Sequence, residues 1–282
     1  MRIKTLAGLS VGLLLSFVWG CSGAKGPIVL NEMSDGEGVS KEAMLTLPAE
    51  LRSSAALLVA LYVDGNRVDY EGLAASEEFA EYRQLAQALN DFDLSMLTTR
   101  GEKLAFWINL YNAVILHATL ESGVEESVRE QASFFDRYAY LVGGLTFTPN
   151  QIEHGILRGD LEKSDPRTAY AVLPIEPRLH FALNCASKSC PPINVYRAEE
   201  IESQLDLATR FFLNQETEAS VDTANHAIYL TRLFDWYAAD FEEGVLPFVL
   251  RHLDDSPSRD YLEKHRRTID IRYNDYDWSL NR

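Results

Sequence analysis

The sequence predicts an α+β fold: a mostly helical single domain with a small antiparallel sheet around one central buried helix. Three observations predict it. The run Lys103 to Leu120, KLAFWINLYNAVILHATL, is apolar on nearly every side, the pattern of a helix enclosed all round. Amphipathic helical stretches precede and follow it, while segments with strand character are few, short and separated by helices. At 282 residues, 46% of them hydrophobic, the chain can close a full core without a disulfide staple.

The elements follow in order. Arg2 and Lys4 form a positive leader, and Leu6 to Trp19 is an apolar run too short for a comfortable membrane span. Val18-Trp19-Gly20-Cys21 resembles the lipobox of bacterial lipoproteins, in which the signal is cut before the Cys and the thiol is lipidated. Residues 1–20 are therefore expected to be a signal peptide and Cys21 the lipidation site. Ser22 follows the Cys, which by the sorting pattern implies the outer membrane with the protein facing the periplasm. Residues 21–42, rich in Gly, Ser and charge, read as a flexible tether, and residues 43–282 as the globular domain.

Within that domain Ala49 to Tyr62 and Ser76 to Asn90 read as helices, joined through an Asp64-Gly65-Asn66 turn and an extended piece at Arg67 to Tyr70. Thr99 and Glu102 form a capping box that opens the central helix. Asn109 and Asn112 lie near one face of it, and a buried Asn without partners costs about 1–3 kcal/mol, so each either ties down backbone or faces a polar site. Tyr138 to Val142 and Leu145 to Thr148 form a hairpin on Gly143-Gly144. Thr148, Pro149 and Gln151 then start a helix that carries Glu153, with His154 and Arg158 four residues apart on a polar side. Leu179 to Asn184 reads as a strand, with His180 and Cys185 on opposite faces and Cys190 beyond it in a loop stiffened by Pro191 and Pro192. Glu199 to Asn214, Leu233 to Phe241 and Val245 to Leu253 read as helices, and a short helix runs from Ser256-Pro257 to about His265. Short strands at Val221 to Asp222, Ala227 to Thr231 and Ile269 to Tyr273 complete the chain.

Taken together, AFWINLYNAV, IEHGILR, the DPR turn, HFALNCASKSCPP, LFDWYAADF and the terminal YDWSLN resemble the domain of unknown function 547 family, over about Ala49 to Asn281. The resemblance implies a domain widespread in bacteria, often secreted or lipidated, and joined in plants to leucine-zipper or glutaredoxin-like segments. It implies no established reaction. The family's recurrent residues match Asn109, Asn112, Glu153, His154, Arg158, His180, Cys185 and Cys190. A distant likeness to papain-like or transglutaminase-like folds is weakened by the central helix, whose start at Thr99 to Lys103 carries no Cys.

Two functions of different class follow. In the first, a hydrolase or acyl-transferase uses Cys190 as nucleophile, with His180 or His154 as base, Asn109 or Asn112 orienting it, and Lys188 or Arg158 supporting the thiolate. Asn112, Glu153, Arg158, Lys188 and Cys185 are then binding candidates. In the second, a non-catalytic ligand-binding or assembly module carries a structural Cys185–Cys190 disulfide. A thiol–disulfide exchange role has only C-x4-C spacing behind it, and no spacing among Glu153, His154, His180 and the cysteines demands a metal. No cofactor is expected. The net charge of −16 argues against nucleic acid and against anionic lipid held by the protein surface. The expected membrane contact is the anchor at Cys21 alone, with the protein or small-molecule partner unspecified.

Overall fold

The computed structural model describes residues 26–32 and 40–282. The expected signal segment and the lipidation site at Cys21 lie outside the described residues. In chain order the elements are β1 (Ile28–Val29), α1 (Lys41–Tyr62), β2 (Val63–Asp64), β3 (Arg67–Val68), α2 (Tyr70–Ala75), α3 (Glu77–Gln87), α4 (Arg100–Ser122), α5 (Phe134–Arg137), β4 (Tyr138–Val142), β5 (Leu145–Phe147), a π-helix (Gln151–Leu157), α6 (Ile201–Leu213), β6 (Ala219–Asp222), β7 (Ala227–Leu230), α7 (Leu233–Trp236), α8 (Val245–His252), α9 (Pro257–His265) and β8 (Asp270–Tyr273). The α+β, mostly helical class is as expected. The strands form three small sheets: β1-β4-β5, β2-β3 and β6-β7-β8. Two of these include a parallel pair, β1 with β4 and β7 with β8.

Helix α4 is the centre of the larger core. The Thr99 hydroxyl accepts from the Glu102 amide, and the Glu102 carboxylate accepts in return from the Thr99 amide, as the capping box predicts. Gly123 ends the helix at φ 65°, a left-handed conformation that glycine adopts without a Cβ penalty. Between these ends Leu104 to Ile108 and Leu110 to Thr119 are buried. The hairpin turns on Gly143 and Gly144, both at positive φ. A Cβ on Gly143 would sit 2.7 Å from the Phe92 carbonyl oxygen, so the turn requires glycine for space as well as for φ.

A second, smaller core gathers Phe181, Phe212, Phe234, Phe241 and Phe248. Two elements join the cores. Helix α6 puts Ile201 and Leu205 in the first and Phe212 and Leu213 in the second. The segment around His180 does the same, with Leu179 in the first core and Phe181 in the second.

Three expectations are corrected. Leu179 to Asn184 is not a strand: Pro177–Phe181 is a 3₁₀ turn, with Pro177 at its start and the Glu176 carboxylate accepting from the Arg178 amide. The expected flexible tether through residue 42 is partly docked. Ile28 and Val29 pair with Tyr138 and Ala139, and the buried Asn31 side chain bonds the Leu141 amide and the Leu141 and Ala86 carbonyls. Three bonds to backbone offset the entropy of ordering this short stretch. Finally, α1 starts at Lys41 rather than Ala49 and carries Pro48 inside it.

Asn109 and Asn112 both clamp backbone. Asn109 exchanges two hydrogen bonds with Tyr196, and Asn112 donates to the Ala182 carbonyl and accepts from the Asn184 amide. Asn112→Ala should orphan two buried backbone groups and cost about 2–4 kcal/mol. Urea unfolding checks it: the midpoint should fall with the slope unchanged. A second outcome concerns acid. Burial, aided by nearby Arg83, lowers the pKa of His117 from 6.5 to about 4. Between those values the unfolded chain binds a proton that the folded one does not, so stability is whole above pH 6.5 and falls as pH drops toward 4. His117→Gln should flatten part of that slope in unfolding curves recorded across the window; His180 and His252, whose pKa values are also lowered by burial, and carboxylates held low by hydrogen bonds and arginines, such as Glu102 and Glu176, supply other parts of it.

Candidate functional site

The helix after the hairpin begins as expected, with the Thr148 hydroxyl accepting from the Gln151 amide and the Gln151 side chain accepting from the Thr148 amide. It then widens into the π-helix, closed by a five-residue bond from the Arg158 amide to the Glu153 carbonyl. Such widening recurs at functional sites. Here it presents Glu153, His154 and Arg158 to the seam between the two cores.

Asp240 waits at that seam. Its carboxylate accepts from Arg158 Nε at 2.6 Å, from Arg158 Nη2 at 3.0 Å and from His180 Nε2 at 2.8 Å. The fork geometry of the guanidinium makes the first two bonds a bidentate pair. Burial pushes the Asp240 carboxyl up, but His180 and Arg158 outweigh burial and hold it well below the usual carboxylate range. Burial lowers the pKa of His180 despite Asp240 beside it. The ring is therefore neutral near pH 7, with its one proton on the nitrogen that faces the carboxylate.

Arg158 has one more donor in use: Nη1 lies 2.8 Å from His154 Nδ1. A guanidinium only donates, so His154 Nδ1 must be unprotonated, and the neutral ring carries its proton on Nε2. His154 is half-buried. Tyr237 packs this assembly together: its ring stacks on His180 at 3.9 Å, lies 5.0 Å from the Arg158 guanidinium carbon and donates from its hydroxyl to Glu153 Oε1 at 2.7 Å. Burial and the Glu153 carboxylate hold the Tyr237 hydroxyl protonated, and Tyr111 is raised for the same two reasons. A cleft of about 410 Å³ reaches Asp240, bounded by Pro174, Glu176, Arg178, Phe241 and His252.

Cys185 and Cys190 are disulfide-bonded, which overturns Cys190 as a nucleophile: a sulfur bonded to sulfur has no thiolate to offer. Tyr276 donates to this pair, its hydroxyl lying 3.1 Å and 3.2 Å from the two sulfurs. Of the expected site residues, the structure brings together Glu153, His154, Arg158 and His180. Asn109 and Asn112 serve backbone instead, and His180 is oriented by Asp240 rather than by either Asn. Lys188 is exposed and enters through its backbone, its amide donating to Ser279. Sequence reasoning missed Asp240, Tyr237 and Tyr276. The signal for Asp240 is one carboxylate near the end of LFDWYAADF, a stretch that reads as helix and shares in the family resemblance without singling that residue out.

Residues 94–213 match the family model described as "Protein of unknown function, DUF547". The match supports the DUF547 family that the motifs resemble. No curated protein matches the chain, and no solved structure does. The DUF547 segment holds Glu153, His154, Arg158, His180 and both bonded cysteines, whereas Tyr237, Asp240 and Tyr276 come from beyond it.

Replacing Cys185 and Cys190 by Ser together should remove about 2 kcal/mol, the loop-closure value for so short a ring, and lower the melting temperature. The checks are calorimetry and alkylation: native protein should take up no iodoacetamide at Cys185 or Cys190, and reduced protein two equivalents there.

Proposed function

We propose that this DUF547 protein is lipid-anchored at Cys21 in the bacterial outer membrane, facing the periplasm, and acts there as a hydrolase or acyl-transferase without a thiol nucleophile. The leader charges, the apolar run and the position of Cys21 support the anchor. A disulfide in the described residues fits an oxidising compartment.

The observation that carries the chemistry is the bond from Arg158 to His154 Nδ1. It fixes a neutral imidazole with Nε2–H as donor, the tautomer suited to hold an acyl oxygen as negative charge develops on it. Glu153, already bonded by Tyr237, is the base. An attacking water or alcohol gives its proton to Glu153 as its oxygen bonds the acyl carbon. The carbonyl electron pair moves to oxygen under His154. Collapse then expels the leaving group, which takes the proton from Glu153. The alternative, a ligand-binding or assembly module, draws support from the closed disulfide, which removes the thiol that an enzyme of the Cys type needs.

Hydrolysis of a panel of chromogenic esters by the detergent-solubilised full chain tests the reading. His154→Gln should lower kcat about 100-fold or more, the usual effect of removing one such donor, with no change in melting temperature. Glu153→Gln should abolish turnover. Turnover unaffected by either change, or no turnover of any ester, overturns the enzyme reading in favour of the module.

A further inference from the structure

The acid–base reading makes no use of the Cys185–Cys190 disulfide, yet one of its sulfurs is surrounded as if to carry charge. Three donors converge on Cys190 Sγ: the Cys185 amide at 2.9 Å, the Ser187 hydroxyl at 3.2 Å and the Tyr276 hydroxyl at 3.2 Å. The same hydroxyls lie 3.4 Å and 3.1 Å from Cys185 Sγ. A sulfur in a disulfide bears no proton, so both hydroxyls donate, and each divides one proton between two sulfurs. Burial holds the Tyr276 hydroxyl protonated. A neutral sulfur is a weak acceptor and gains little from three donors; a thiolate gains much more.

The cradle does not depend on the bond it surrounds. The Asn184 side chain ties both ends of the loop, accepting from the Ala186 amide at 2.8 Å and donating to the Pro191 carbonyl at 2.6 Å. Asn184 is held in turn by Asn112 of α4, and the Lys188 amide donates to the Ser279 carbonyl at 2.9 Å. So short a ring also gives a disulfide little chain entropy to remove. Between Cys185 and Ser187, the fully buried Ala186 holds φ 62°, a left-handed conformation that its Cβ disfavours. Strain of this kind persists where its surroundings over-determine it, and it gathers at functional positions.

Exposure gives the two sulfurs different roles. Cys185 is half-buried, whereas Cys190 is only 2% exposed. An incoming thiolate therefore meets Cys185, and Cys190 is the sulfur that leaves. A leaving sulfur departs faster the better its charge is stabilised. Burial alone raises a thiol's pKa, and donors aimed at the charged form lower it. Lys188, the one cation between the two cysteines, is exposed, so the three hydrogen bonds hold the charge.

We propose that the Cys185–Cys190 disulfide is exchange-active and takes two electrons from the dithiol of a partner protein. The partner's first thiolate bonds Cys185 Sγ as the Cys185–Cys190 bond breaks, and the bonding pair leaves on Cys190 Sγ. The partner's second thiol loses its proton and attacks the partner sulfur of the mixed disulfide, expelling Cys185, which takes up a proton. The partner ends as a disulfide, Cys185 as a thiol and Cys190 as the cradled thiolate. Neither Glu153 nor His154 takes part, so this exchange is independent of the acid–base reading.

The folded full chain in detergent is exposed to dithiothreitol and to glutathione redox buffers, with Cys185 and Cys190 followed by alkylation and peptide mass. About 1 mM dithiothreitol at neutral pH should open the bond within minutes at unchanged circular dichroism. Tyr276→Phe and Ser187→Ala should each shift the glutathione equilibrium toward the disulfide about tenfold or more. In Cys185→Ser protein, thiolate absorbance read against the Cys185→Ser/Cys190→Ser protein should place Cys190 about one unit or more below the ordinary thiol value of ~8.5. Adding Tyr276→Phe should raise it again. If either hydroxyl variant fails to fold, the Cys190 titration in Cys185→Ser protein still decides. A bond that opens only when the chain unfolds, a Cys190 pKa at or above the ordinary value, or an equilibrium indifferent to both hydroxyl changes overturns the proposal and leaves a structural staple. Ester turnover enters none of these outcomes, so either reading can fail without the other.

Discussion

One carboxylate, Asp240, holds the functional region in register. It stands where the two hydrophobic cores meet, and it takes hydrogen bonds from a π-helix of the first core and from a 3₁₀ turn that spans both. A buried charge of this kind is costly unless every lone pair finds a partner. Asp240 accepts three hydrogen bonds from Arg158 and His180, which offset most of that cost, and each of those is then fixed in orientation. The consequence runs outward: Arg158, fixed at one end, can aim its remaining nitrogen at His154, and the proton on His154 is thereby assigned to the nitrogen left for a ligand.

The same constraint explains why regular secondary structure gives way at the site. An ordinary α-helix would not carry the five-residue closure at Glu153, and a strand through His180 would turn Leu179 and Phe181 to one side. The 3₁₀ turn instead lets Leu179 enter one core and Phe181 the other, with His180 between them. Local departures from ideal geometry concentrate where the packing of two cores must be reconciled with a buried ion pair.

Much of the fold was legible because it depends on local chemistry. The capping box at Thr99, the Gly143-Gly144 hairpin, the box at Thr148 and the all-round apolar helix are each decided by neighbours in sequence. The site was legible in part for the same reason: Glu153, His154 and Arg158 share one helical segment. His180 was picked out by type, but its secondary structure was misread because a short apolar run after a proline looks alike as strand or tight turn. Asp240, Tyr237 and Tyr276 join the site only through tertiary contacts, far along the chain from the π-helix, and no spacing announces them. The choice between free thiols and a disulfide likewise depended on how close the fold brings Cys185 to Cys190, which the count of cysteines does not decide.

The small strand β1 changes how such a protein would sit at a bilayer. Asn31 and the pairing of Ile28 with Tyr138 fasten the chain to the body soon after Cys21. With an acyl group on that cysteine, the leash would end at Ile28 rather than near residue 42, and even fully stretched it would reach only about 25 Å. The seam around Asp240 would then stay within a thin shell next to the lipid headgroups instead of sweeping the wider periplasm.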